Sequence, residues 1–210
     1  MARYAITDIH GCPVTFRRLL DRIGFGPTDE LYLLGDYIDR GPDSLGVLEH
    51  IWHLEEAGYQ IHCLRGNHEQ MLADALRHRQ APWDYVPKRR DRARVVEWID
   101  GLPYYLEVPG YLLVHAGLGF EERDPLMDTR AMLWARDWEH TLDRDWLGDR
   151  IVLYGHTPRP ASAVMEEVQA MEDTGLVCLD AGCAMPYVGM GSLAALDLDA
   201  REVIFEGRVD

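Results

Sequence analysis

The sequence lacks the features that define membrane, secreted and repeat proteins. No apolar run approaches the roughly 20 residues that a membrane-spanning helix needs. The N-terminus, "MARYAITDIHG", is a strand pattern followed by polar residues and has no signal-peptide layout, so we expect a cytoplasmic location rather than export. No internal repeat or low-complexity stretch is present. The sequence is therefore that of a globular protein, and its function must be inferred from particular polar residues.

Cysteine and basic residues are both scarce. The four cysteines show no CxxC spacing and are expected to be reduced thiols, with a Cys178–Cys183 bridge as the less favoured alternative. The chain has 21 basic and 36 acidic residues, a net charge of −15. This balance excludes a general nucleic-acid binder, which needs a basic footprint. Surplus carboxylates are compatible with divalent metals, but also with an ordinary solvated surface.

The length and the order of the elements predict one α/β domain over residues 1–210. The chain has 210 residues, of which 47% are hydrophobic. Strand and helix patterns alternate at its start, which is typical of parallel βαβ units. The predicted strands are 3–7, 31–35 and 60–66, and the predicted helices are 13–26, 44–58 and 69–79.

The second half of the sequence shows a less regular order of strand and helix patterns. Residues 104–117 predict two strands around a Pro109-Gly110 turn, and residues 150–156 predict another strand. The C-terminal segments "GLVCLDAG", "GSLAALDLD" and "REVIFEG" predict a strand meander, antiparallel at least in part. Residues 118–150 predict loops and short helix, and the pattern over 163–173 favours neither helix nor strand.

Five apolar strands each run into Asp, Asn or His at or just past the C-terminal end. In open α/β sheets, ligands bind beyond those ends. A single such residue is ordinary turn or hydrogen-bonding chemistry, so the inference rests on the joint pattern. Carboxylate and imidazole together suit Mn, Fe or Zn, and the number of donors suffices for two ions if one carboxylate bridges. The donors are Asp8, His10, Asp36, Asn67, His115 and His156.

The chain resembles the calcineurin-like metallophosphoesterases, and specifically their phosphoprotein phosphatase type. The resemblance covers about residues 3–183 and is carried by "DIHG", "GDYIDRG", "RGNHE", "HAG" and "GHT" in this order. It implies an α/β fold with a β-sandwich of two mixed sheets flanked by helices. It also implies two divalent cations at the strand ends, with Mn²⁺ expected first and Fe, Zn, Ni or Co as alternatives.

The resemblance also implies a role for each motif residue. It implies that Asp36 bridges the ions, that His68 gives a proton to the leaving oxygen, and that Asp39 orients His68. The implied reaction is direct attack of a metal-bridging hydroxide on phosphorus without a nucleophilic residue, and no GxSxG motif is present for covalent catalysis. The first metal is assigned to Asp8, His10 and Asp36, and the second to Asp36, Asn67, His115 and His156.

Three arginines are candidate phosphate ligands. Arg40 matches a phosphate-clamping arginine of the family, and its fork geometry suits phosphoryl oxygens. Arg136, in "MLWARD", resembles a second. Arg65 is a third candidate, with pairing to a carboxylate as the alternative.

The sequence departs from the family pattern at several points. The first motif begins with Thr7 in place of glycine, and Ala181 replaces threonine in a "DTG" segment. Residues 80–100 keep Trp83 but lack an "NGG" element, and we treat them as a substrate-facing insertion. We expect the other tryptophans near the motifs (134, 138 and 146) to pack in the core or a lid rather than stack on a nucleobase. The basic cluster, Lys88, Arg89, Arg90, Arg92 and Arg94, is expected to be a solvated helix face rather than a substrate-steering patch.

The leading hypothesis is a metal-dependent phosphomonoesterase, a serine/threonine or dual-specificity protein phosphatase. Its substrate would be a phosphorylated protein or a small phosphoester, without nucleic-acid or membrane partners. The first alternative is a symmetrical diadenosine tetraphosphate hydrolase; such enzymes typically show "ARGP" and "GNHD", whereas this chain has "DRGP" and "GNHE". The second alternative, a non-catalytic scaffold on the same fold, predicts lost ligands, and none is lost.

Overall fold

The computed structural model describes residues 1–121 and 124–210, and its strands form two mixed sheets. The first sheet has the order β3-β2-β1-β8-β9, and the second has the order β4-β5-β6-β7. The strands are β1 (Arg3–Ile6), β2 (Glu30–Leu33), β3 (Gln60–Cys63), β4 (Tyr105–Val108), β5 (Tyr111–Val114), β6 (Ile151–Tyr154), β7 (Leu176–Cys178), β8 (Ser192–Asp197) and β9 (Glu202–Gly207).

The helices connect or cover these strands, and local chemistry explains several of their ends. Pro13 at the first turn of α1 has a φ already suited to a helix, and Gly24 ends α1 in the left-handed conformation. The side chain of Asp43 caps α2 by accepting from the Gly46 N–H. The helices are α1 (Pro13–Ile23), α2 (Ser44–Glu56), α3 (Asn67–Arg77), α4 (Arg92–Gly101), α5 (Thr129–Trp134), α6 (Arg144–Leu147) and α7 (Ala161–Thr174).

Apolar side chains fill three layers. Residues such as Ala5 and Leu196 of the first sheet meet Leu113 and Leu153 of the second, which forms the interior of the sandwich. The outer face of the first sheet packs against α1 and α2, and the outer face of the second packs against residues 118–147. This layering confirms the predicted fold class.

The structure also corrects three details of the sequence prediction. Residues 163–173 lie inside α7, and α3 begins at Asn67 rather than at 69. β7 is not part of an antiparallel meander: it pairs parallel to β6 in the second sheet, whereas β8 and β9 are antiparallel in the first. All four cysteines are free and buried. Over the described residues, no helix has the length and apolar character needed to cross a bilayer.

Candidate metal centre

Five of the predicted site residues, four proposed ligands and the proposed proton donor His68, converge in two groups that share one carboxylate. His10, Asp36 and His68 form the first group, and Asp36, His115 and His156 form the second; within each group the ligand atoms lie within 4.8 Å of one another. Asp8, the remaining predicted ligand of the first ion, lies beside the first group, with its Oδ1 3.8 Å from His10 Nε2. The loops after five strands from both sheets therefore meet at one buried place.

The backbone at these strand ends is held in a conformation that side chains disfavour. Among the described residues, nine non-glycine residues have a positive φ, and six of them are predicted site residues. Such conformations cost free energy and persist only where the surroundings enforce them, which is typical of functional sites. The six are Asp8, His10, Asp36, Asp39, Arg40 and His156.

Two glycines permit the close approach of these loops. A Cβ on Gly66 would lie 2.3 Å from both the amide nitrogen and Oδ1 of Asp36. A Cβ on Gly155 would lie 2.1 Å from Asp8 Oδ2. Glycine is therefore required where the loop after β3 meets the loop after β2, and where the loop after β6 meets the loop after β1.

Backbone carbonyls orient two of the histidines. His10 Nδ1 lies 2.9 Å from the Ile38 carbonyl, and His115 Nδ1 lies 2.9 Å from the Leu34 carbonyl. A carbonyl only accepts, so Nδ1 donates in each pair, and a neutral ring then presents the lone pair of Nε2 to the site. Metal-ligating histidines are fixed in the same way.

The other donor atoms of the site also face one another. His115 Nε2 lies 2.9 Å from Asn67 Oδ1 and 3.5 Å from Asp36 Oδ1. The second oxygen of Asp36, Oδ2, lies 3.5 Å from His10 Nε2. Each carboxylate oxygen of Asp36 thus faces a different ligand group, which is the geometry that a bridging ligand needs.

Two buried atoms support the fit of a cation. Within the described part of the chain, neither Asp8 Oδ1 nor His156 Nε2 has a hydrogen-bond partner, although both are buried. An unpaired buried polar atom is costly, and a metal ion bound to it removes the cost. Burial would raise the pKa of Asp36, but the imidazoles of His115, His68 and His10 hold this pKa well below its usual value. Burial, reinforced by His115, lowers the pKa of His156 to about 3, so this imidazole is neutral, as a ligand must be.

His68 and Asp39 form a close pair at the edge of the first group. His68 Nδ1 lies 2.6 Å from Asp39 Oδ2, and its Nε2 lies 3.8 Å from Asp36 Oδ2. Burial opposes the charged imidazole, but the hydrogen bond with Asp39 and the nearby carboxylates raise the pKa of His68. The pair therefore keeps a proton donor pointing into the site.

Two of the three candidate phosphate-binding arginines lie beside the ligand groups. Arg40 Nη2 is 3.3 Å from His68 Nε2, and Arg136 Nη1 is 3.2 Å from the hydroxyl of Thr157, the residue after His156. Both arginines are exposed and can contact a bound anion.

Arg65 does not fit the predicted phosphate contact. Its guanidinium is buried against the end of α4, where Nη2 donates to the carbonyls of Ile99 and Asp100 at 2.7 and 3.1 Å. Its Nη1 donates to the Gln70 side chain at 2.8 Å. This arginine joins α3 and α4 because its N–H groups are directed to these acceptors, so the geometry favours a structural role.

The sequence analysis assigned no role to Glu69, which the structure gives a central one. Its carboxylate is fully buried and accepts from the amides of Asp36 and Tyr37 at 2.9 Å each, and from Gly66 at 3.0 Å. Burial, followed by the charge on Asp36, raises the pKa of Glu69 to about 7. The motif "GNHE" contained this signal, because an acid in the first turn of a helix caps backbone amides.

Arg94, the last residue of the basic cluster at 88–94, lies away from the centre. Arg94 stacks 4.0 Å from the centroid of the Trp52 ring and lies 3.2 Å from Glu56 Oε1 on the outer surface of α2. The chain just before the cluster does reach the centre, because the Tyr85 N–H donates to Asp39 Oδ1 at 2.7 Å.

A family model connects this geometry to known proteins. The model described as calcineurin-like phosphoesterase matches residues 1–180. The chain belongs to the calcineurin-like phosphoesterase family. The family assignment agrees with the order of the motifs and with the two ligand groups that share Asp36.

Two similar curated proteins carry the same name. Proteins named bis(5'-nucleosyl)-tetraphosphatase, symmetrical, from Chromobacterium violaceum and Aromatoleum aromaticum are 36% and 38% identical over 168 and 125 residues. The matches cover 75% and 56% of this chain, and 57% and 45% of the two relatives. The chain thus spans about half the length of the curated relatives it matches.

Solved structures share the fold. A structure described as that of a candidate diadenosine tetraphosphatase superposes with a TM-score of 0.69 at 22% identity, covering 100% of this chain and 94% of the other. A serine/threonine phosphatase from Saccharomyces cerevisiae superposes with a TM-score of 0.68 at 18% identity, covering 100% and 80%. At these identities the superpositions establish the fold and do not distinguish the substrates.

Proposed function

We propose that the protein is a metal-dependent phosphoric ester hydrolase that cleaves a dinucleoside tetraphosphate symmetrically. The observation that carries this proposal is the shared name of the curated relatives, at 36% and 38% identity. The site supports the reaction class, because two ligand groups that share Asp36 suit a two-ion phosphoesterase. The protein phosphatase hypothesis has weaker support, since its structural relative is 18% identical.

The chain's own residues supply the binding and proton-transfer parts of the reaction. When bound, two divalent ions supply positive charge to phosphoryl oxygens and a route to activated water. Arg40 and Arg136 bind the outer phosphate oxygens beside the two ligand groups. His68, held at Nδ1 by Asp39, keeps a proton at Nε2 for the oxygen that leaves phosphorus.

The metal ligands that we propose are those of the sequence analysis. Asp8, His10 and Asp36 hold one ion, and Asp36, Asn67, His115 and His156 hold the other. Mn²⁺ is proposed as the native ion, with Fe, Zn, Ni and Co as the alternatives, because a mixed carboxylate and imidazole set suits these metals. Elemental analysis of the protein purified without added metal tests this choice.

A parallel assay tests the function. The protein loaded with Mn²⁺ is given diadenosine tetraphosphate, a serine phosphopeptide and p-nitrophenyl phosphate, and the products are separated by chromatography. We expect the highest kcat/KM on the dinucleotide, with ADP as the sole nucleotide product. AMP and ATP in equal amounts would contradict symmetrical cleavage, and a preference for the phosphopeptide would restore the protein phosphatase hypothesis.

A further inference from the structure

Two exposed tryptophans flank the metal centre, one beside each ligand group. The Trp83 ring is 62% exposed, and its centroid lies 5.1 Å from that of His68 in the first group. The Trp134 ring is 42% exposed, and its centroid lies 6.3 Å from that of His156 in the second group. Large aromatic surfaces left open beside a polar centre are typical of ligand contacts.

The other tryptophans pack in the interior or against it. Trp52 and Trp138 are buried, and Trp98 and Trp146 pack against the apolar clusters. Of the three tryptophans expected to pack in the core or a lid, Trp138 and Trp146 pack against an apolar cluster, whereas Trp134 is exposed. Exposure of tryptophan is concentrated at the two sides of the metal centre.

Hydrogen bonds hold the segment that follows Trp83 close to the proposed proton donor, His68. The side chain of the next residue, Asp84, accepts from the Arg40 amide at 2.6 Å. The amide of Tyr85 donates to Asp39 at 2.7 Å, and Asp39 is bound to His68. The two residues that follow Trp83 are therefore hydrogen-bonded to the loop after β2, although the Trp83 side chain stays exposed.

Trp134 also borders a cavity formed by residues between 118 and 141. It is the last residue of α5, and α5 is fixed to the loop after β5 because the Ala116 amide donates to the Met132 carbonyl at 2.8 Å. The cavity has a volume of about 530 Å³, within the range of small-molecule sites. Trp134, Phe120, Arg130 and Arg136 are among its lining residues.

Each exposed tryptophan is accompanied by an arginine. Arg40 lies against the first group beside Trp83, and Arg136 lies against the second group two residues after Trp134. An aromatic face suits a nucleobase and an arginine suits a phosphate, so each side can hold one nucleotide. A substrate made of two nucleotides joined through phosphates likewise has one base and its phosphates on each side of its central bond.

We propose that Trp83 and Trp134 are the two base-stacking platforms of the site, one for each purine of a dinucleoside polyphosphate. This inference rests on the proposed function and specifies how the two ends of that substrate are recognised.

Alanine and phenylalanine variants test the inference. We expect Trp83→Ala and Trp134→Ala each to lower kcat/KM for diadenosine tetraphosphate at least about fivefold, the lower end of what base stacking on an aromatic ring contributes. Hydrolysis of inorganic tetraphosphate, which has no base, should stay within about twofold. Trp83→Phe and Trp134→Phe retain an aromatic face and should recover most of the loss. Met165→Ala, which removes an exposed apolar side chain of α7, is the control.

Binding of ADP separates this inference from the proposed function. Its affinity is measured by calorimetry in the same variants, with inorganic pyrophosphate as the ligand without a base. If the wild-type protein does not cleave the dinucleotide, the proposed function fails, whereas a loss of ADP affinity confined to the alanine variants still supports the platforms. Equal losses for ADP and pyrophosphate, no loss in either alanine variant, or no binding of ADP to the wild-type protein would overturn the inference.

Discussion

At the scale of single residues, the centre depends on how each donor atom is aimed. Backbone carbonyls fix His10 and His115 so that Nε2 faces inward. Asp36 directs one oxygen to each ligand group. These contacts orient the donors before any ion arrives, which lowers the ordering cost of binding.

His68 is expected to matter for the leaving group and not for the metal. His68→Asn removes the proton held at Nε2, so we expect hydrolysis of an alkyl phosphate to fall by about 10²–10⁴. The loss should be smaller on p-nitrophenyl phosphate, because its leaving oxygen needs less protonation. Metal content, measured by elemental analysis, should not change. Equal rate losses on both substrates would argue against proton donation.

Thr7, which stands where the family pattern has glycine, is expected to position Asp8. Its hydroxyl donates to Asp8 Oδ2, which also accepts from the His156 amide at 3.0 Å, so Oδ1 is left to face the site. We expect Thr7→Val to weaken Mn²⁺ binding by about tenfold, as losses of such outer contacts do. Calorimetric titration measures this affinity, and Thr7→Ser should bind like the wild type. A Thr7→Val variant with unchanged affinity would show that the hydroxyl has no positioning role.

At the scale of elements, the contact between the loop after β2 and the start of α3 forms much of the site. Glu69, on α3, accepts backbone amides from both segments, and Gly66 lets their backbones touch. The helix therefore delivers Asn67 and His68 to the same place where the strand delivers Asp36.

A methyl group at this contact should disrupt the centre. We expect Gly66→Ala to lower the free energy of unfolding by about 1–3 kcal/mol, a typical cost of overpacking, and to weaken metal binding. Gly101→Ala is the matched control, since no described atom lies within 4 Å of its added Cβ. It should leave stability unchanged or raise it by up to about 1 kcal/mol. Urea denaturation compares the two, and equal stabilities would refute the close-contact argument.

At the scale of the whole molecule, the proposed ligands come from both sheets. Asp8, His10, Asp36 and Asn67 follow strands of the first sheet, and His115 and His156 follow strands of the second. Bound ions would therefore join the two layers of the sandwich and oppose their separation.

Metal binding should raise thermal stability. An ion present at 100 times its dissociation constant stabilises the folded state by about 2.7 kcal/mol per site, so Mn²⁺ should raise Tm by several degrees and a chelator should reverse the rise. Asp36→Asn removes the shared carboxylate charge and should abolish most of the shift. Differential scanning calorimetry measures both proteins. A rise of equal size in the variant would contradict the bridging role of Asp36.

The sequence by itself determined the proposed donor set and the alternation of strand and helix in the first half of the chain. Asp36 and His156 were identifiable because their signal is local: an apolar strand that ends in a polar residue beside glycine. The βαβ order was identifiable for the same reason, since hydrophobic period and turn residues act over short distances.

Only the tertiary structure decided the contacts between residues that lie far apart in the sequence. The sequence did not assign Arg65 to the end of α4, β7 to the second sheet, or Glu69 to the amides after β2. It also did not predict that the Trp134 side chain is exposed beside His156. These outcomes depend on contacts between residues that are distant along the chain, and such contacts are set by how the two sheets and their helices pack together.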